Sequence, residues 1–287
     1  MLEKSSWLHL RIPFSFFLLP VFLFALTVAD NLELNRTLLV FVIIHLFLYP
    51  ASNGYNSYFD KDEQSIGGLE KPPPVSKGLY YLSLLFDGVA LLLGLLISWQ
   101  FSLMLFVYGM VSKAYSHTSI RIKKYPYGSW FIAGFFQGFF TLWMSVMGLS
   151  VVDFDIILEA RVWIPALLSS AMLWGSYPMT QIYQHEEDAK RGDITLSLKL
   201  GIRGTFIFTM LMFSLSGAGF VWYFLSYYDI WAAGMYLLFL GPVLIFFLSW
   251  QLKVWKDENQ ADFKHTMRLN LISSVCLNIF FLALSFF

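Results

Sequence analysis

The sequence predicts an all-α, polytopic membrane protein with nine transmembrane helices. Of its 287 residues, 57% are hydrophobic and only 13% are charged, whereas soluble domains carry about 25% charged residues. The apolar residues form long runs, and the basic residues fall between particular runs. This composition, with a formal net charge of zero, excludes a soluble globular enzyme, a disordered chain and a nucleic-acid-binding protein that relies on a basic surface.

The apolar runs give the predicted helices in order, since a membrane-spanning helix needs about 20 apolar residues. The nine predicted spans are Ile12–Ala29, Leu38–Ala51, Leu79–Ser98, Leu103–Ala114, Trp130–Val151, Trp163–Thr180, Thr205–Ser226, Ala232–Trp250 and Leu271–Phe287. The first is too long for a cleavable signal peptide, so it is interpreted as a span. The fourth is short, and the fifth contains Gly134, Gly138 and Gly148, which permit close helix contacts. Because no Gly/Ser or Pro linker interrupts the chain, residues 1–287 are interpreted as one membrane domain.

The basic residues support this order of spans. Of the 19 Lys and Arg residues, only Arg36 and Arg161 lie outside the segments that precede span one or follow the even-numbered spans. Basic residues concentrate in the cytoplasmic loops of membrane proteins. We therefore expect an integral membrane protein of a cell's inner membrane, with its amino terminus and the loops after the even-numbered spans in the cytoplasm.

Two acidic segments, residues 53–68 and 177–196, follow the second and sixth spans. Helical spacing of three and four residues predicts that polar side chains of each segment share a face. In the first segment Asp62 points away from the face formed by Asn56, Asp60, Glu63 and Gln64. In the second segment the predicted stripe is Tyr177, Gln181, Gln184 and Asp188.

Oxygen ligands on two helix ends suit Mg²⁺, which binds through a few carboxylates together with substrate phosphates. Nearby basic residues would hold phosphate oxygens. An ordinary solvated helix end explains one such segment well, but two of them, each continuing an apolar span, favour a functional site.

At these positions the sequence resembles the UbiA family of intramembrane prenyltransferases, which have nine transmembrane helices and the motifs N-x-x-x-D-x-x-x-D and D-x-x-x-D. Asn56 and Asp60 match the first motif, and Asp188 matches the last position of the second. Gln64 and Gln184 stand where the family has aspartates. An amide carries no negative charge, so we expect weaker metal binding. The segment after the fourth span resembles the family's tyrosine-plus-basic segment through Tyr115, Arg121, Lys123 and Lys124.

The resemblance implies a Mg²⁺-dependent enzyme that moves a prenyl group from an isoprenyl diphosphate to an aromatic or other lipophilic acceptor. It implies catalytic roles for Asn56, Asp60 and Asp188. The metal ligands that it implies are Asn56, Asp60, Gln64, Gln184 and Asp188. The diphosphate would be bound by Tyr115, Arg121, Lys123, Lys124 and Lys190. Phe135, Phe139 and Trp143 are candidates for lining the site of the prenyl tail.

Two alternatives stay open at this point. One is a divergent member of the superfamily that uses a polyprenyl phosphate or lipid acceptor. The other is a catalytically weakened membrane protein that binds lipid diphosphates, because two motif aspartates are missing. A transporter is disfavoured, since the polar clusters lie at one membrane face and not at the midplane.

Overall fold

The structure, a computed structural model, describes residues 3–151 and 154–285. The predicted ninth span ends at Phe287, so its last two residues lie outside the described part. Within that part the regular structure is helical, apart from one isolated bridge between Ile66 and Leu69. The predicted all-α class is therefore confirmed.

Ten helices organise the described part of the chain, and we number them in order. They are α1 (Lys4–Val28), α2 (Leu34–Asp60), α3 (Gly78–Ile97), α4 (Trp99–Ser116), α5 (Pro126–Leu149), α6 (Ala160–Ser176), α7 (His185–Arg191), α8 (Leu196–Tyr227), α9 (Ile230–Lys256) and α10 (Phe263–Leu284). Seven of the helices in the described ranges are long and apolar enough to cross a membrane. The others are α4, α6 and the short α7. The polytopic membrane class is confirmed, whereas the count of nine crossings stays a prediction, because α4 and α6 are not among the helices that are both long and apolar enough.

Several helices deviate from regular α geometry. Helix α1 is interrupted at Arg11, whose φ of 47° is left-handed, and continues as a 3₁₀ helix over Ile12–Leu18. Helices α2 and α5 contain π-helical turns at Val42–Leu48 and Phe135–Phe140. Such turns are frequent at functional sites, and here both helices continue to the cavity described below.

Helices α5 and α6 cross with almost no side chain between them. A Cβ at Gly138 would lie 2.5 Å from the backbone nitrogen of Ser170. The Ser170 hydroxyl donates to the Gly134 carbonyl at 2.9 Å and accepts from the Phe139 amide at 2.8 Å. The close contact predicted from the glycines is present, and it also satisfies backbone groups that the π turn leaves without helical partners.

The loops separate to the two ends of the bundle as the charge pattern predicts. At one end Asp60 meets Lys123, and Asp62 meets Arg191. At the other end Arg161 pairs with Asp30, donating at 2.8 Å, and Arg36 donates to the carbonyl of Gly148 at 2.7 Å. We call the first the basic end. That this end faces the cytoplasm stays a prediction.

The one carboxylate within α3, Asp87, faces Lys113 of α4 and pairs with it. A charge inside a membrane-spanning helix costs about 2.5–3.5 kcal/mol on insertion scales, which pairing offsets. Large apolar side chains such as Leu96 and Trp231, exposed by 73% and 77%, cover the outside of the bundle. This surface is suited to contact with lipid.

Candidate active site

A polar cavity of about 230 Å³ opens among the helices at the basic end. Most of its polar side chains come from the two acidic segments and from the loop that follows α4. The polar residues that line the cavity include Arg11, Asn56, Asp60, Asp62, Tyr115, Lys123, Tyr177, Gln181, Gln184, Asp188 and Arg191. Residues far apart in sequence thus form one site.

Asp60, the last residue of α2, lies at the centre of the first group of contacts. Its side chain is only 3% exposed. Asn56, one turn earlier, donates to the Asp60 carboxylate at 2.8 Å and to the Ser116 hydroxyl at 3.1 Å. Lys123 donates to the same carboxylate at 2.7 Å. The predicted pairing of Asn56 with Asp60 follows from the four-residue spacing.

The rest of the first segment does not follow the predicted helix face. Lys61 takes a left-handed conformation with φ of 51°, which ends α2. The chain then turns, so Asp62 lines the cavity while Gln64 is exposed outside it. The expectation that Gln64 shares a face with Asp60 and that Asp62 points away is therefore wrong. Helical spacing places Gln64 on the face of Asp60 only if the helix continues through residue 64, whereas α2 ends at Asp60.

The second segment keeps its predicted stripe although its helix is broken. Tyr177 begins a 3₁₀ turn, and Gln184 precedes α7. All four stripe residues line the cavity: Tyr177, Gln181, Gln184 and Asp188. The Gln184 amide donates to the carbonyl of Ser65 at 3.1 Å, which ties the two segments together.

Asp193 is a member of the site that the sequence did not indicate. It is 1% exposed, and its carboxylate accepts from the Arg121 guanidinium at 2.9 and 2.8 Å. Burial alone would raise the pKa of Asp193, but the hydrogen bonds from Arg121 and the charge of Lys123 hold it below the usual range. Only its place beside the second segment hinted at this role.

Asp188 has the opposite electrostatic environment. Burial raises the pKa of Asp188 to about 7, with further upward contributions from the carboxylates of Asp193 and Asp60, while Lys123 opposes the shift. Its carboxylate accepts a hydrogen bond from Arg191 at 2.8 Å. An anionic Asp188 is thus held in a place where an additional cation would stabilise it.

The basic residues divide into those that reach the cavity and those that do not. Lys124 and Lys190 are exposed, and the Lys124 ammonium lies over the ring of Tyr125 at 4.9 Å. Lys123 lines the cavity and Arg121 does not, although both contact the buried carboxylates. That they bind the diphosphate stays a prediction. Arg191 lines the cavity, next to the exposed Lys190.

Arg11 is a second residue that the sequence argument did not assign to the site. Its left-handed backbone turns the guanidinium toward the cavity, where it donates to the carbonyls of Gly67 at 3.0 Å and Asn53 at 3.3 Å. Among the described residues no carboxylate lies within 4.0 Å of it. An arginine directly before the first apolar run was the available signal.

An apolar chamber of about 200 Å³ adjoins the polar cavity. The two share Phe14, Gln137, Tyr177 and Thr180 as walls. Side chains of α1, α6, α8, α9 and α10 line the remainder, among them Val21, Leu173, Phe213, Val243 and Leu277. Phe135, Phe139 and Trp143 lie outside both linings, so the predicted tail contacts on α5 are wrong.

The donor atoms around the polar cavity fit a hard, oxygen-binding cation. They are carboxylate and amide oxygens, and the buried Oε1 of Gln181 has no hydrogen-bond partner. In the described part of the chain no group of three or more Asp, Glu, His or Cys is arranged to hold an ion by itself. This suits Mg²⁺, which completes its shell with water and phosphate oxygens.

Comparison with known proteins agrees with this geometry. Residues 17–272 match the sequence model of the UbiA prenyltransferase family. The chain is 25% identical over 268 residues to the digeranylgeranylglyceryl phosphate synthase of Methanocaldococcus jannaschii, covering 89% of this chain and 86% of that protein.

Two solved structures show the same fold. A UbiA homolog from Archaeoglobus fulgidus bound to GPP and Mg²⁺ superimposes with a TM-score of 0.68 at 15% identity, covering 99% of this chain and 100% of that one. The apo structure of a UbiA homolog from Aeropyrum pernix gives 0.70 at 15% identity, covering 98% and 99%. At this identity the likeness concerns the fold alone.

Proposed function

The chain belongs to the UbiA prenyltransferase family, and from this we propose that it transfers a prenyl group from an isoprenyl diphosphate to a lipophilic acceptor at the basic end of the bundle. The observation that carries the proposal is the pairing of the two chambers. A cavity with carboxylates and cations opens directly into an apolar one. An amphiphile with a diphosphate head and an isoprenoid tail matches both.

In this proposal the residues that would hold Mg²⁺ together with the diphosphate are Asn56, Asp60, Gln184 and Asp188. Mg²⁺ supplies Lewis-acid stabilisation of the charge that develops on the departing diphosphate. The A. fulgidus homolog, whose structure contains GPP and Mg²⁺, supports the choice of a prenyl diphosphate and Mg²⁺. Because Gln64 is exposed outside the cavity, we do not include it among the metal ligands.

The protein's own cations would stabilise the same charge. Lys123 lines the cavity, and both Arg121 and Lys123 pair directly with Asp60 and Asp193, so they are held in place before substrate enters. Preorganised donors of this kind are effective because they need not reorient as charge develops. Arg11 also lines the cavity, and its guanidinium has no carboxylate partner among the described residues.

Tyr115 and Tyr177 occupy the passage between head and tail. Their hydroxyls contact each other, and Tyr177 lines both chambers. The allylic carbon of a donor that spans the two chambers would lie near these rings. An aromatic face attracts a cation, so we assign them to stabilising the allylic cation that forms as diphosphate leaves.

The acceptor is proposed only as a lipophilic molecule. The M. jannaschii relative is named for a glyceryl phosphate lipid product, which favours a phosphate-bearing lipid acceptor over an aromatic ring. A weakened protein that binds but does not transfer is the second candidate, because Gln64 and Gln184 replace acidic residues of the family motif.

One experiment separates these possibilities. The purified chain in lipid nanodiscs is given radiolabelled GPP, Mg²⁺ and either a glyceryl phosphate lipid or 4-hydroxybenzoate. Mg²⁺-dependent transfer to an acceptor is the expected result. Donor binding without diphosphate release, with every acceptor tested, would identify a binding protein and reject the transferase.

A further inference from the structure

Arg191 lies between the two acidic segments, with carboxylates of both segments around its guanidinium. It contacts Asp62 of the first segment and donates to Asp188 of the second at 2.8 Å. Its Nε lies 3.4 Å from Asp193. Its Nη1 also lies 3.9 Å from Glu187. The side chain is 19% exposed, so this cation is largely buried among four carboxylates.

Two turns in the backbone create this arrangement. Gly192, with φ of 76°, ends α7 and reverses the chain, so the Asp193 amide reaches the carbonyl of Asp188 at 2.9 Å. Lys61 ends α2 in the same left-handed conformation and directs Asp62 inward. The guanidinium is therefore fixed by both segments and not by helical periodicity in either.

A divalent ion that bridged both acidic segments through Asp62 and Asp188 would occupy the space that Arg191 fills. Arginine is permanently charged, and its fork of five N–H donors matches carboxylate and phosphate oxygens alike. Arg191 donates to Oδ1 of Asp188, so Asp60 and Oδ2 of Asp188 suffice for one Mg²⁺, which binds through one or two carboxylates plus substrate phosphates.

The amides at the two motif positions agree with this reading. Gln64 is exposed outside the cavity, and Gln184 is neutral and tied to Ser65. Neither adds the negative charge that a second divalent ion would require beside Arg191. Within the cavity, Gln184 carries no charge and the guanidinium of Arg191 is positive. Both properties disfavour a second divalent ion.

We infer that Arg191 acts as a built-in cation between the acidic segments, so that this site takes a single divalent ion with each prenyl diphosphate. The inference rests on the proposed function, because it concerns how the same diphosphate is held. It specifies the metal count, and it gives Arg191 a direct part in binding the leaving group.

The test counts bound Mn²⁺, a paramagnetic substitute for Mg²⁺, by electron paramagnetic resonance. The full chain in nanodiscs is saturated with geranyl thiolodiphosphate, a slowly reacting donor analogue. Wild type should bind one Mn²⁺ per chain. Arg191→Met should bind two Mn²⁺, because the Oδ1 atoms of Asp62 and Asp188 lose their arginine partner and become available. Arg191→Lys should keep one Mn²⁺. Arg268→Gln, at an exposed position on α10, is the matched control and should also keep one.

Two Mn²⁺ in wild type would overturn the inference and leave the prenyltransferase proposal intact. A count of one in a folded Arg191→Met would overturn it as well. If Arg191→Met does not fold, as judged by its thermal unfolding, the wild-type count decides alone. Failure of wild type to bind the analogue at any Mn²⁺ concentration would instead reject the proposed function, and the inference with it.

Discussion

The chemistry of the site depends on which charged side chains are paired at the basic end. Asp60 is nearly inaccessible and accepts from Asn56 and Lys123, whereas Arg11 has no carboxylate partner among the described residues. Breaking a buried pair is costly because the remaining charge loses its partner. Single substitutions here therefore act on both binding and folding, and the readouts must separate the two.

Asp60→Asn removes the charge that is proposed to hold Mg²⁺ and leaves an isosteric amide. We expect kcat/KM for the donor to fall by about 10²-fold or more, the size of effect seen when one electrostatic contact to a transition state is removed. Glu186→Gln is the matched control, since Glu186 is an exposed acid on the neighbouring segment. A loss of less than about threefold in Asp60→Asn would remove Asp60 from the mechanism.

The pH profile should report Asp188. Burial raises the pKa of Asp188 to about 7, so the carboxyl is protonated and uncharged below that pH and anionic above it. Because only the anion attracts a divalent cation, we expect kcat/KM to fall as the pH drops through about 7. The measurement is kcat/KM from pH 5.5 to 8.5 at one Mg²⁺ concentration below saturation, where the metal ion does not displace the proton. A profile flat across pH 7 would contradict the assignment.

Arg11→Gln tests whether the arginine that directly precedes the first apolar run binds substrate. We expect weaker binding of anionic substrate groups, with KM raised about tenfold and a smaller change in kcat. Each hydrogen bond to a charged group contributes about 1.5–3 kcal/mol. Arg203→Gln is the control, because that exposed arginine pairs with Glu258 away from the cavity. An unchanged KM for donor and acceptor would show that Arg11 only ties the loop through Gly67.

At the scale of the elements, the crossing of α5 and α6 sets the position of the second acidic segment. Helix α6 leads directly into Tyr177, the first residue of the cavity stripe. Ser170 links the two helices by hydrogen bonds to Gly134 and Phe139. Any widening of this crossing would shift Tyr177 relative to Tyr115, and the passage between the chambers would change.

Gly138→Ala should separate the two helices, since the added Cβ would lie 2.5 Å from the Ser170 nitrogen. Overpacking of this kind costs about 1–3 kcal/mol, so we expect a lower midpoint of thermal unfolding together with slower transfer. Gly241→Ala on α9 is the control, because its Cβ meets no atom within 4 Å. Equal unfolding midpoints for the two variants would contradict the close crossing.

At the scale of the whole molecule, the bundle places a polar chamber at one end and an apolar chamber between its helices. Met267 of α10 lines the first chamber, and Leu277 on the same helix lines the second. Ten residues of helix correspond to about 15 Å. The depth of the apolar chamber is thus suited to selecting donors by the length of their isoprenoid tail.

Leu277→Trp should narrow the deep part of this chamber and leave the polar end unchanged. We expect it to lower the use of a 20-carbon donor by about tenfold relative to a 10-carbon donor, because only the longer tail reaches this depth. The measurement is the ratio of the two products in direct competition. Leu282→Trp is the control, because Leu282 is exposed on the same helix. This variant should leave the product ratio unchanged.

The sequence by itself determined the membrane class, the order of the apolar spans, the separation of basic loops to one end, and the pairing of Asn56 with Asp60. These features depend on composition and on spacing along one helix, which are local properties of the chain. The tertiary structure decided that Asp62 and not Gln64 faces the cavity, and that Arg11, Arg191 and Asp193 belong to the site. The physical reason is that single left-handed residues end the helices at Lys61 and Gly192. In addition, Arg121 pairs with Asp193 and Arg191 with Asp62, partners 72 and 129 residues away in the sequence.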